Sequence, residues 1–540
     1  MARRWPCAAL FPCAHSLPLR CGRSGEARCM SVFVSPHLPA RPRAGTRGVC
    51  KSRVIAQHSS SSDLSEHYEE LRELGSGSYG RVCLVRDKTF GQERVCKVVS
   101  TDGMSPYVLD AMRKEIELLR KLDHPSIVRL YEYAEDPKQK QLLLILEYIS
   151  GGDCAELVQK APEPLGERLV GRLVYQLLVA LAYCHLRGVA HRDVKPLNMM
   201  VLYPISGGEP DCKLIDFGLS EGGAAEMRDY VGSPKYMAPE VHRRASYTSR
   251  ADIWSAGVSA LELLVGELQF PRPFERSIGT CSGFGELEKH FEGKPEATWK
   301  SRSREAKDFI RTLLQVDPVT RLSAGQALNH RWLETNRPPS RQFPKDIARS
   351  LADFANAPSI VRCCLHSIAA RVGSPNIQAL GHAFLGADSD GDGLISDTDL
   401  EAALGQVELD RRWWCSEVEK VDVEEVLRTG DLDHNAGLGF TEFVAACLFA
   451  THGNAEGFAQ LAFDALDSDR DGLVSVEELQ QHFRERDRPF LDTLPQDEPF
   501  GFEEWRTCLE EYDQSTQVLS SSEESEVPRR SLFGIFSCLG

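Results

Sequence analysis

The chain is 540 residues long with a net charge of −16, too long for one hydrophobic core and, at roughly 150 residues per domain, long enough for three or four units. The acidity excludes nucleic acid as the main partner, because neutralising phosphates requires a basic face. No uncharged apolar run reaches the roughly 18–20 residues of a membrane span; the longest candidate, residues 253–270, is broken by Glu262 and Glu267.

Residues 1–60 carry ten basic side chains and one acid, Glu26, a charge of +9 that leaves −25 for the remainder. This segment is rich in Arg, Pro, Cys and Ser, ends in four serines, and does not have the apolar content to fold. Two readings stand: a disordered tail, or an acid-poor organelle-targeting segment. The apolar stretch 7–19 is interrupted by Pro12 and His15, which weighs against a secretory signal. Ala2 after Met1 excludes an N-myristoylation signal. The seventeen cysteines are scattered singly apart from Cys363-Cys364, without zinc-ligand spacing. They read as thiols in a reducing compartment.

From residue 68 to 333 the pattern is strand-rich, then helix-rich. Alternating apolar residues in Arg81-Val82-Cys83-Leu84-Val85 and Val95-Cys96-Lys97-Val98-Val99 predict strands, and residues 112–122 have helical spacing. Residues 253–270 read as a central helix. Five short motifs punctuate this stretch: Gly75-Ser76-Gly77-Ser78-Tyr79-Gly80, Lys97, His191-Arg192-Asp193-Val194-Lys195-Pro196-Leu197-Asn198, Asp216-Phe217-Gly218 and Ala238-Pro239-Glu240. One alone is weak evidence, but five in this order and spacing resemble a protein kinase.

Phosphoryl transfer asks a protein mainly to position phosphates and neutralise charge. Glycines at 75, 77 and 80 let a hairpin approach the phosphates without Cβ clashes. Lys97 on the facing strand is expected to bridge the α and β phosphates. Glu115, ten positions before Pro125, is expected to hold that lysine in preference to Glu117. Asp193 is the expected acceptor of the substrate hydroxyl proton, with Lys195 steadying the γ phosphate. Asn198 and Asp216 are the expected ligands of Mg²⁺, a hard cation that prefers oxygen. Lys195, two residues after Asp193, resembles the serine/threonine rather than the tyrosine kinases. Glu240 is expected to pair structurally with Arg321.

Downstream, acidic loops recur between Asp388 and about Trp505. They can be scored against the twelve-residue calcium loop, with oxygens at positions 1, 3, 5 and 12 and glycine at 6. The first has Asp388, Asp390, Asp392, Gly393 and Asp399, whose short terminal Asp should lower calcium affinity. The second has Asp431, Asp433, Asn435 and Glu442, but Ala436 stands at the sharp turn, where a positive φ costs roughly 1 kcal/mol. The third, Asp467, Asp469, Asp471, Gly472 and Glu478, breaks no rule. A fourth hand would start at Thr493 with Pro495 at its third position and end at Glu504. It should bind nothing and instead pair a short β segment around Phe500 with the third loop.

Taken together, residues from 68 to about 505 resemble the calcium-dependent protein kinases of plants, algae and protists. Arg228-Asp229-Tyr230-Val231-Gly232-Ser233 carries the likeness locally, as do Leu351-Ala352-Asp353-Phe354 and Leu365-His366-Ser367-Ile368-Ala369. The resemblance implies an α+β two-lobed kinase followed by an all-α EF-hand module, using ATP, Mg²⁺ and Ca²⁺, with Val82 and Glu147 also at the nucleotide. The implied units are a leading segment (1–67), the kinase domain (68–333), a regulatory junction (334–374), three hands (375–410, 418–453, 454–489), a degenerate hand (490–512) and a tail (513–540).

Three departures or open points accompany it. Leu197 stands where many basic-residue-directed kinases carry Glu, although Asp153 and Glu262 are placed like acids that bind substrate arginine; both also have a structural reading. Pro358 interrupts the junction, and since proline inside a helix costs roughly 3 kcal/mol, two shorter helices are expected. Those helices carry apolar stripes, Ile347, Leu351 and Phe354, then Val361, Leu365, Ile368 and Val372, flanked by Arg341, Lys345, Arg349, Arg362 and Arg371. Either the stripes pack permanently on the calcium module, or the first helix covers the substrate cleft until calcium withdraws it. The expected partners are protein substrates with Ser/Thr targets, and the expected state is a monomer. The expected location is cytoplasmic, with a plastid or a peripheral membrane contact through the apolar, cysteine-containing stretch 531–538 as alternatives.

Overall fold

The computed structural model describes residues 57–58, 64, 67–77, 80–203, 210–218, 220–222, 227–268, 285, 294–336, 343–357, 359–408, 421–432, 435–448, 455–467, 470–475, 478–479 and 499–507. Residues 1–56 of the leading segment, the tail, Ser78, Tyr79, Arg341, Pro358, Asp433, Asp469, Thr493 and Pro495 lie outside these residues.

Six strands form the first sheet: β1 (Gln57–His58), β2 (Tyr68–Gly77), β3 (Gly80–Asp87), β4 (Glu93–Ser100), β5 (Leu130–Asp136) and β6 (Gln141–Glu147). Their order is β1-β5-β6-β4-β3-β2, antiparallel except for the parallel β1–β5 pair. The predicted strands 81–85 and 95–99 lie inside β3 and β4. Helix α1 (Pro106–Leu119) starts six residues before the predicted one and ends three earlier. Ser105 caps its N-terminus by accepting from the Val108 amide, and Pro106 occupies the first turn, where a missing N–H costs nothing. Met112, Ile116 and Leu119, at helical spacing, bury its inner face.

The second lobe is helical. Helix α2 (Cys154–Lys160) leads to α3 (Glu167–Leu186), and short strands β7 (Val189–Ala190), β8 (Met199–Leu202), β9 (Asp211–Leu214) and β10 (Glu221–Gly222) frame the site. Then come α4 (Pro239–His242), α5 (Arg250–Val265), α6 (Lys294–Ser301), α7 (Arg304–Leu313), α8 (Ala324–Leu328) and α9 (Arg331–Asn336). Among the described residues the helix long and apolar enough to cross a membrane is α3, rather than the 253–270 run; 78% of its most apolar stretch is buried inside the protein. Both α3 and α5 belong to the core, which also takes Ala306, Phe309, Ile310 and Leu313 from α7. Arg321 grips both oxygens of Glu240, at 2.7 and 3.0 Å, as the expected structural pair.

A separate apolar core holds the helices that follow: α10 (Lys345–Ala355), α11 (Ser359–Arg371), α12 (Ser374–Ala387), α13 (Asp397–Glu408), α14 (Val423–Gly430), α15 (Phe440–Leu448) and α16 (Ala455–Leu466). The junction is two helices broken at Asn356-Ala357, as expected for a proline there. Both apolar stripes are inside this core: Leu351, Phe354, Val361, Leu365 and Ile368 are at most 2% exposed. Of the basic residues expected to flank them, Arg371 is instead buried and reaches the first lobe, where it donates to Glu132 at 3.3 Å. The first and second loops are joined by an antiparallel bridge, Ile395 with Leu438. The third is joined to the degenerate fourth hand by Val474 with Phe500, at 2.9 and 3.1 Å, as expected.

Candidate active site

The site is built where the two lobes meet. Gly75, Ser76 and Gly77 pair with Val82, Arg81 and Gly80 in the β2–β3 hairpin. Gly80 has φ +155, and a Cβ there would lie 1.9 Å from the Val98 carbonyl oxygen. The hairpin therefore lies flat on β4 only with glycine at this position. Below it, Val82, Val95, Leu144 and Leu146 wall a pocket whose polar end is made by Lys97, Glu115 and Asp216. An apolar slot with a charged end suits an adenine base carrying phosphates.

Among the described residues no hydrogen bond or ion pair closes Lys97 onto Glu115. Burial pushes the Glu115 carboxyl up to about 7, with Lys97 lowering it and Asp216 raising it. Glu117, the alternative, lies on the outer face and pairs with Arg120 at 2.5 Å. Glu147 lines the pocket, but its carboxylate is turned to structure: it accepts from Lys213 at 3.0 Å and from the Arg129 amide at 3.2 Å.

The catalytic loop is more tightly specified. Asp193 Oδ2 accepts from Lys195 at 2.6 Å, Oδ1 from the Ser233 amide at 2.9 Å, and Asn198 donates to the Asp193 carbonyl at 2.8 Å. Lys195 also donates to the Ser233 hydroxyl at 2.9 Å. Each of these three residues is at most 4% exposed. Asp252, at the head of α5, anchors the loop from beneath, accepting from the His191 and Arg192 amides at 2.9 and 2.8 Å and from His185 at 2.8 Å. Burial would raise its pKa, but those hydrogen bonds and the histidines hold it low. Arg192 and Asp216 both carry positive φ, 66° and 68°, a strain held in place at the site. Phe217 is buried with its ring edge-on to His191, and this seats Asp216 in the pocket.

Sequence reasoning missed the roles of Asp252 and Ser233 at the site. The signal for Asp252 was an acid heading an otherwise apolar helix, which is stable only if fully bonded. Arg192 also reaches Asp229 at 3.1 Å, so an acid already neutralises that guanidinium in the segment before Ala238.

The two acids offered to substrate arginine do not stand free. Asp153 caps α2 by accepting from the Glu156 amide at 2.8 Å, and Glu262 accepts from Lys235 and Tyr236. Both are at most 8% exposed. Each is thus engaged by groups of its own chain.

In the calcium module, Asp388, Asp390 and Asp392 bring carboxylate oxygens within 4.8 Å of one another. Burial, and then the Asp392 and Asp390 charges, push Asp388 up to about 7; burial and Glu478 push Asp467 up to about 6. Crowded carboxylates facing one another fit a hard dication. Asn435, Asp431 and Glu442 surround the second turn, where Ala436 has φ 73 as its sequence position required. Asp467 accepts from the Gly472 amide at 3.0 Å, and Glu478 from the Ser475 amide at 2.8 Å. Asp399 spreads its two oxygens between Ser389 and Ser396.

The fold and the catalytic loop define a protein kinase, with an EF-hand module behind it. The protein kinase domain family matches residues 68–333, and the EF hand family residues 458–483. Calcium-dependent protein kinase 34 of Arabidopsis thaliana is 30% identical over 461 residues, 84% of this chain and 84% of its own length. Calcium-dependent protein kinase 5 of Plasmodium falciparum is 29% identical over 429 residues, 77% of this chain and 71% of its own. The chain belongs to the calcium-dependent protein kinase family.

Proposed function

We propose that this chain is a calcium-regulated serine/threonine kinase that transfers the γ phosphoryl group of ATP to protein hydroxyls. Lys97 would hold the phosphates, and Asn198 and Asp216 the Mg²⁺. Bound there, Mg²⁺ neutralises phosphate oxygens. Asp193, oriented by Lys195, Ser233 and Asn198, takes the proton of the incoming hydroxyl. Lys195 is held between Asp193 and Ser233, where its charge can meet the transferred group.

The observation that carries the calcium reading is that all three hands are bonded to the kinase domain. Arg470, inside the third loop, donates to Glu132 at 2.8 Å and Asp87 at 3.4 Å in the first lobe. Arg187, at the end of α3, donates to the Asp392 carbonyl of the first loop at 2.7 Å. The Thr441 amide, at the exit of the second loop, donates to Asp123 at 2.7 Å. Calcium that reorders these loops changes contacts to both lobes at once.

Two routes to control follow. In one, α10 leaves the calcium module to cover the substrate cleft when calcium is absent. In the other, the module braces the two lobes. The burial of the α10 stripe and the contacts to both lobes favour the brace. Phosphorylation of a Ser/Thr protein substrate by the full chain, with and without a calcium chelator, tests the function. Equal rates in both would leave the hands a structural role, and no transfer in either would leave a calcium-sensing scaffold.

A further inference from the structure

Glu262, on α5, has both carboxylate oxygens engaged within its own chain. Lys235 donates to Oε1 at 2.7 Å and the Tyr236 hydroxyl to Oε2 at 2.6 Å. Burial, then the Glu262 charge, keep the Tyr236 phenol protonated and therefore a donor. Lys235 is placed by its neighbours. Ser233, two residues earlier, is bonded to both Asp193 and Lys195, while Ser255 of α5 donates to the Tyr236 carbonyl at 2.7 Å. The segment 233–236 thus runs from the catalytic aspartate to the Glu262 carboxylate. The two residues that hold Glu262 follow within three positions of the one bonded to Asp193.

The Lys235 side chain is 20% exposed, so its ammonium closes the acid off at the surface rather than in the core. Beside Asp193, Leu197 is 39% exposed and presents hydrocarbon in the catalytic loop. Asp153 is committed to its helix cap.

We propose that Lys235 is a specificity-determining residue that fills the acidic substrate subsite from within. Its ammonium takes the place on Glu262 that a substrate arginine or lysine would take. A basic substrate side chain would then have to displace a tethered cation and face its charge, and such a like-charge juxtaposition selects against a partner. The substrate class is accordingly Ser/Thr peptides with uncharged residues at the position that meets Glu262. This inference rests on the kinase reading of the same site.

The test is a positional-scanning peptide library phosphorylated by the full chain in calcium and MgATP. The proteins compared are wild type, Lys235→Met, Glu262→Gln, the double variant and Asp193→Asn. Wild type should show no more than about twofold preference for Arg or Lys at any upstream position, and Glu262→Gln should leave that profile unchanged. Lys235→Met should gain about tenfold preference for a basic residue at one position, the equivalent of about 1.4 kcal/mol, and the double variant should lose it. A wild-type basic preference that Glu262→Gln abolishes would overturn the proposal, as would a folded, active Lys235→Met with an unchanged profile. If Lys235→Met does not fold, the wild-type and Glu262→Gln profiles still decide. Transfer by Asp193→Asn at the wild-type rate would instead defeat the kinase reading itself.

Discussion

Asp193 shows how much one side chain depends on its neighbours. Its two oxygens face a lysine, a backbone amide and an asparagine, so Asn in its place keeps the shape and most of the hydrogen bonds but cannot take a proton. Asp193→Asn should lower kcat by roughly 10²–10⁴, the usual worth of a general base, with nucleotide affinity nearly unchanged; turnover and nucleotide titration measure the two separately. His124 makes a prediction of a different kind. It is 4% exposed, its Nδ1 accepts from the Ser126 amide at 3.0 Å, and its Nε2 has no hydrogen-bond partner among the described residues. Burial, with Arg187 and Lys213 nearby, pushes its pKa down to about 3, against an ordinary value of about 6.5 in the unfolded chain. Because the unfolded chain binds the proton more readily, stability from this residue is full above pH 6.5 and falls as pH drops toward 3. The slope is at most about 1.4 kcal/mol per pH unit. His124→Asn, which cannot charge, should flatten the fall in urea midpoint between pH 6.5 and 5; an unchanged slope would show that His124 does not carry it.

At the scale of elements, the calcium loops were the most legible part of the chain, because each ligand position has a fixed chemistry. Ala436 was expected at positive φ from its loop position alone, and the backbone has φ 73 there. Ala436→Gly should relieve roughly 1 kcal/mol of that strain and tighten the second site, a change visible by calorimetric calcium titration. Glu478→Gln should raise the calcium needed for half activation more than Asp399→Asn, since Asp399 is short and already shared between Ser389 and Ser396. The reverse order would overturn this ranking of the loops. The kinase motifs were legible for a similar reason: Gly80 is forced by a backbone contact, and Asp216 by a pocket. What the sequence could not show were partners far apart in the chain. Glu262 kept both a substrate-facing and a structural reading because nothing local reveals that Lys235 reaches it, and Arg371 read as a flank because its partner Glu132 lies 239 residues away. The extent of α1 was missed because the Ser105-Pro106 start signal lies before the first apolar repeat.

At the scale of the whole molecule, the calcium module is bonded to the kinase domain and not merely tethered to it. Arg129 joins the two through one guanidinium, donating to Asp123, to Thr441 and to the Ala369 carbonyl at 3.0–3.1 Å. Arg371 and Arg470 meet at Glu132, so the junction helix and the third loop converge on one buried acid of the first lobe. Removing one partner from such a buried group leaves an uncompensated charge, which costs about 3–5 kcal/mol when complete. On the proposed reading, a shift of the third loop on binding calcium reaches the first lobe through these contacts. The most direct test of this account is the rate at which the full chain phosphorylates a Ser/Thr protein substrate as free calcium is raised from a chelated baseline. Calcium acting through these contacts should raise it steeply, by roughly 5- to 150-fold, the range of ordinary allosteric coupling. A rate that stays the same while the hands demonstrably fill with calcium would contradict this reading.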